Sequence, residues 1–142
     1  MTALLNNKTA ELWKSFTPMR NDLHNAVDNN LYSLQVYPQN YFENFNPATN
    51  FEKWALKEVF TFENLPQTLK PFTIPSGLYA AFYYKGNAEN ANEFFSYIFN
   101  EWIPSSSYEL DDRPHFEILG EKYKNNSPDS EEVIYIPIKV KP

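Results

Sequence analysis

The chain of 142 residues has no cysteine, which excludes disulfide staples and thiolate metal sites. Glycine is almost as scarce, at three residues, so a glycine-rich phosphate loop or a nucleophile elbow is not expected. The two histidines, His24 and His115, stand far apart without metal-ligand spacing, and neither a metal nor a cofactor is expected. No apolar run reaches the roughly 18 residues of a membrane-spanning helix. Residues 1–20 lack the charged start and long apolar run of a signal peptide. These absences predict a cytoplasmic protein. Basic residues are outnumbered by acidic ones, 12 to 18, for a net charge of −6, and no basic cluster offers a surface for nucleic acid.

What the chain has in quantity is rings. Phe, Trp and Tyr make up 18% of it, enough to fill a small core and still line a pocket. Its length is that of one domain with a real core. The stretch Gly77-Leu78-Tyr79-Ala80-Ala81-Phe82-Tyr83-Tyr84-Lys85-Gly86 reads as a strand with rings on both faces: Leu78, Ala80, Phe82 and Tyr84 share one, Tyr79, Ala81 and Tyr83 the other. A strand packed on a core needs only one such face, so the second is available to a ligand.

Asn87 follows as a candidate N-cap. Ala91, Phe94/Phe95, Ile98 and Trp102 then form a helical stripe over about 88–102, ended by Pro104 and three serines. His115–Leu119 and 132–138 read as strands, with a polar loop through Asn125-Asn126 between them. In the first half, Leu12, Phe16, Met19 and Leu23 predict a helix over 9–27, kinked or split at Pro18, with Thr9 as a candidate cap. Asp28-Asn29-Asn30 is a turn signal. Strands are expected over 31–37 and 53–62, and the proline-bearing segment 65–75 reads as a connector.

The motifs Ile74-Pro75-Ser76-Gly77-Leu78-Tyr79, Tyr84-Lys85-Gly86, Glu101-Trp102-Ile103-Pro104, Pro114-His115-Phe116-Glu117 and Tyr135-Ile136-Pro137-Ile138-Lys139 resemble the GyrI-like family of AraC-type effector-binding domains. Upstream, Glu11-Leu12-Trp13, Tyr32–Tyr37 and Phe51–Ala55 are similar to its first half. The resemblance implies a single α+β domain of two tandem strand-helix-strand-strand repeats, related by pseudo-two-fold symmetry, with halves at about 1–70 and 71–142. The first half reads only helix, strand, strand. Its missing opening strand leaves a sheet edge that a homodimer would cover or that stays open as a cleft.

The resemblance also implies a function: a bacterial, stand-alone domain binding lipophilic small molecules, cations included, in an aromatic cleft of the multidrug-binding kind. It places Glu117 as the strand carboxylate facing the ligand, with Gln35 in the corresponding place of the first repeat. A carboxylate among rings is costly to bury unpaired, so it awaits a cation or keeps its proton. Glu58 shares a strand face with Trp54. Tyr79, Tyr83 and Tyr135 carry hydroxyls at the tips of apolar rings. Trp54 and Trp102 offer flat walls for cation–π contact. The competing account of every one of these is ordinary packing or a solvated surface. Some relatives hydrolyse strained, cyclopropane-bearing electrophiles, for which Glu117 would be the base and Tyr79 or Tyr135 would orient water. Other stand-alone members are associated with DNA gyrase, and many domains of the family serve a transcription regulator.

Overall fold

The computed structural model describes residues 8–142 apart from 24, 44, 88–89 and 125–126, and the backbone alone at 20–22. His24, the start of the expected second helix and the Asn125-Asn126 loop tip therefore lie outside the described residues. Helix α1 (Thr9–Phe16) passes at Thr17-Pro18 into a 3-10 turn ending at Asp22. Pro18 lacks an N–H for the α-helical ladder, and the Thr17 hydroxyl donates to the Trp13 carbonyl at 2.7 Å. The split falls where expected, but the helical segment stops short of 27.

Strand β1 (Ala26–Val36) begins well before residue 31. Asp28-Asn29-Asn30, expected as a turn, lies inside it as an irregularity: the register against β2 (Glu52–Val59) slips between Ala26 and Leu31. The Asp28 carboxylate accepts from the Asn30 N–H at 3.0 Å, a local bond of the kind that competes with a regular ladder. Residues 60–78 contain no helix or strand, as expected for the connector 65–75, whereas the strand expected over 53–62 stops at Val59 and the one expected from Gly77 starts at Tyr79.

The second half runs β3 (Tyr79–Lys85), α2 (Ala91–Tyr97), a π turn (Ile98–Trp102), a last turn α3 (Ile103–Ser105), β4 (Tyr108–Leu110), β5 (His115–Leu119) and β6 (Glu131–Val140). The helical run ends at Ser105, within the Pro104–serine stretch expected to end it and three residues beyond 102. The π turn immediately before the proline shifts the carbonyl ladder that Pro104 would otherwise break. Its wider winding also lets Ile98 and Ile103, five apart in sequence, both enter the core.

The strands form one antiparallel sheet in the order β2-β1-β5-β6-β3, with β4 added to the far end of β6. Register assigns the faces. One carries Ala55, Ser33, Glu117, Ile134 and Phe82 in a row across five strands; the other carries Trp54, Leu34, Phe116, Tyr135 and Ala81. The helical run covers the first face at β6 and β3, where Ala80, Tyr84, Ile98, Ile103, Ile134 and Ile136 make the main core. The loop after β1 closes the same face farther along, with Phe42 stacked on Phe99 at 4.9 Å and on His115 at 5.4 Å. The architecture is α+β, with β2 at the outer edge of the sheet among the described residues.

Candidate functional site

A cavity of about 720 Å³ runs along β2. Every residue from Lys53 to Val59 lines it. A cavity confined to one face would touch alternate residues only, so this one follows the free edge of the strand. Leu12 and Phe16 of α1 wall it on one side, and Leu65 to Ile74 of the connector on another. Its remaining sheet contacts, Tyr32, Phe116, Ile118 and Tyr135, share the face of Trp54 and Leu34. The rings there form a floor: Phe116 stacks on Tyr135 at 4.8 Å and 9°, Tyr32 lies 6.0 Å from Phe116, and Trp54 sits 4.8 Å from Phe72. Leu34, between Trp54 and Phe116 in the same row, is 0% exposed.

Glu58 is the carboxylate on this cavity. It is exposed and accepts from the Tyr32 hydroxyl at 3.4 Å. Burial first, and then the Glu58 charge, pushes the Tyr32 phenol up to about 12, so Tyr32 stays a donor at neutral pH.

The opposite face holds a polar cluster between the helical run and the loop after β1. Gln35, 5% exposed, donates from Nε2 to Glu117 Oε2 at 3.1 Å and to Ser33 Oγ at 3.4 Å. Lys53 faces Gln35 from β2, and Glu132 is on the same face of β6, opposite Tyr84. Burial raises the Glu117 carboxyl above its usual range, while Lys53 and the Gln35 hydrogen bond pull it back. Glu132 is pushed up to about 7 by burial and then by the Glu117 charge. Lys53 is lowered by burial, with the two carboxylates opposing. His115, buried against Tyr37, Phe42 and Phe99, falls to about 3 and is neutral. Two acids thus share one lysine in a partly desolvated patch.

Residues 2–138 match the model of a family described as Cass2, integron-associated effector binding protein. The chain belongs to this family. Cass2 is a GyrI-like effector-binding family, so the resemblance carried by the second-half motifs holds, and the Cass2 chain is a small-molecule-binding domain. No curated protein matches it. Among the described residues no helix is long and apolar enough to cross a membrane.

Within this Cass2 domain the sheet divides the residues singled out from sequence. Trp54, Glu58 and Tyr135 line the cavity. Tyr79 lies on the same face but is engaged: its hydroxyl donates to the Pro114 carbonyl at 3.2 Å, and the Arg113 guanidinium lies 4.6 Å above its ring. Tyr83 is 58% exposed at the other end of the face. Glu117 and Gln35 are together, hydrogen-bonded, on the opposite face. Trp102 packs edge-on against Phe82 at 5.0 Å, beside the helical core. Glu117 is therefore not brought together with Tyr79 or Tyr135. Lys53, Glu132, Tyr32 and the connector were not singled out. Lys53 was legible only as a charge in a strand. The alternation Glu52–Val59 would have put it on the same face as Gln35 once the β1–β2 register was known.

Proposed function

We propose that the domain binds a lipophilic small molecule, organic cations among them, in the cavity along β2. The cavity carries the reading: about 720 Å³ is within the usual range for small-molecule sites, and rings with a few polar groups are the usual lining. In a plan of two strand-helix-strand-strand repeats, the opening strand of the first repeat would lie beside β2, and the cavity occupies that place. Burial of ligand area on Trp54, Phe116 and Tyr135 supplies affinity at about 25 cal/mol per Å² of apolar surface before the costs of association. Lys53, Lys57 and Lys70 also line the cavity, so area rather than net charge dominates, and Glu58 supplies the discrimination in favour of a cation. Hydrolysis by Glu117 with Tyr79 or Tyr135 has no corresponding grouping, and binding is the reading retained.

The test is quenching of Trp54 fluorescence by tetraphenylphosphonium and by the neutral triphenylphosphine oxide. Both are expected to bind. Glu58→Gln is expected to weaken the cation by about 0.5–1 kcal/mol, the scale of an exposed charge contact, and to leave the neutral ligand unchanged. Equal loss for both ligands, or no saturable binding of either, would sink the reading.

A further inference from the structure

We propose that the cavity takes short, extended apolar peptides, which add to β2 as a further strand through main-chain hydrogen bonds. The proposal rests on the reading of the cavity as a small-molecule site and names a further ligand class for it.

Side chains alternate across β2, so Trp54, Leu56 and Glu58 reach the cavity from the face of the aromatic floor, while Lys53, Ala55 and Lys57 point to the other face. Both sets line the cavity nonetheless. What they share is the main chain at the outer edge of the strand, and that edge is a wall of the cavity. Strand β2 pairs with β1 alone. Among the described residues no main-chain group outside β1 bonds an N–H or C=O of residues 53–59. Successive residues of a strand turn these groups to opposite sides, so every second residue presents an N–H and a C=O to the cavity. These pairs recur at about 6.8 Å, twice the rise per residue.

A lipophile without amides covers these groups and leaves them unpaired, which costs free energy. An extended peptide carries the complementary donors and acceptors at the same repeat, and adds to the edge as a strand. Its side chains then fall alternately on the two faces of the sheet. One set meets the floor of Trp54 and Phe116, which favours aromatic side chains at every second position. The other set lies beside Ala55 between Lys53 and Lys57, where small or acidic side chains fit. A volume of about 720 Å³ suits an occupant the size of a few residues rather than a protein domain's strand and its flanks. Strand β3, at the opposite edge of the sheet, does not line the cavity and is the internal comparison.

The probe is acetyl-Phe-Ala-Phe-amide, followed by tryptophan fluorescence and by amide hydrogen exchange in NMR. Saturable binding is expected. At a peptide concentration ten times Kd, exchange should slow about tenfold at alternate residues between 53 and 59 and stay unchanged along β3. Two ester analogues keep the shape and remove the N–H of the alanine or of the second phenylalanine. Only one of these N–H groups faces β2, so one ester should bind about two- to tenfold more weakly than the other. Peptide binding without slowed exchange in β2, slowing along β3 instead, or equal affinity of the peptide and both esters would overturn the proposal. Strong protection of every amide from 53 to 59 in the free protein also overturns it, because the edge is then already covered. Binding of triphenylphosphine oxide without binding of the peptide overturns this inference alone. Failure of both overturns the cavity reading and this inference with it.

Discussion

Glu132→Gln examines the acid cluster directly. In the folded chain Glu132 titrates at about 7, raised by burial and then by Glu117, with Lys53 offsetting part of the rise. In the unfolded chain a glutamate titrates near about 4.3. Between those values the folded state holds a proton that the unfolded state has released. This group's contribution to stability is therefore highest below about pH 4.3, falls as pH rises toward 7, and is level above it. The full shift corresponds to roughly 3.7 kcal/mol at 1.36 kcal/mol per unit. Glu132 is only half-buried, so solvent screening reduces this to about 1–3 kcal/mol.

Glutamine keeps the shape and removes the ionisation. The variant should exceed the wild type by about 0.5–1 kcal/mol at pH 5 and by about 1–3 kcal/mol at pH 8. Urea unfolding at the two pH values, followed by tryptophan fluorescence, measures both. The comparison must be variant against wild type at each pH. His115, whose pKa falls to about 3 by burial, gives a slope of opposite sign, with stability rising from about pH 3 to about 6.5. That slope is common to both proteins and cancels in the difference. A variant destabilised equally at pH 5 and pH 8 would refute the desolvated acid cluster and make Glu132 a hydrogen-bonding group instead.

Two further outcomes test the frame that holds the site. Leu34→Ala removes a side chain that is 0% exposed between Trp54 and Phe116, and it should lower unfolding free energy by about 2–5 kcal/mol; a loss under about 1 kcal/mol in urea melts would mean the floor of the cavity is loosely packed. Gly77→Ala would set a Cβ against the Arg113 guanidinium, which binds Asp111 and the Leu78 and Ile138 carbonyls, at a cost of about 1.5–3 kcal/mol. In a Gly77→Ala/Arg113→Met cycle the two losses should overlap rather than add, and strict additivity would show that the guanidinium is not what excludes a side chain at Gly77.

Alternation and spacing by themselves determined the existence and type of most elements: the strands around 31–36, 53–59, 79–85, 115–119 and 132–138, the helical stripe from Ala91 to Trp102, and the break at Pro18. These depend on local periodicity, which a side chain carries wherever the strand is later placed. The motifs from Ile74 to Lys139 likewise sufficed for the effector-binding family. Element ends were less legible. Polar Asp28–Asn30 fits a turn as well as a bulge, and only pairing with β2 keeps it in a strand. Pro104 and the serines mark the end of the helical run, but the π turn over Ile98–Trp102, which seats Ile98 and Ile103 in the core, leaves no local signal.

The candidate site was legible as a list of residues but not as an arrangement. Sequence proposed Glu117, Glu58, Trp54 and the tyrosines together, because each is a suitable group on a strand. Which face a residue shares with a residue of another strand is set by register, and register is a long-range pairing that no local pattern contains. The sheet put Glu117 with Gln35, Lys53 and Glu132 on one side and Trp54, Glu58 and Tyr135 on the other. The electrostatics followed from that division. Lys53 and Glu132 are ordinary charges in the chain, and they became a perturbed cluster only when antiparallel pairing brought them to one partly dry face beside Glu117.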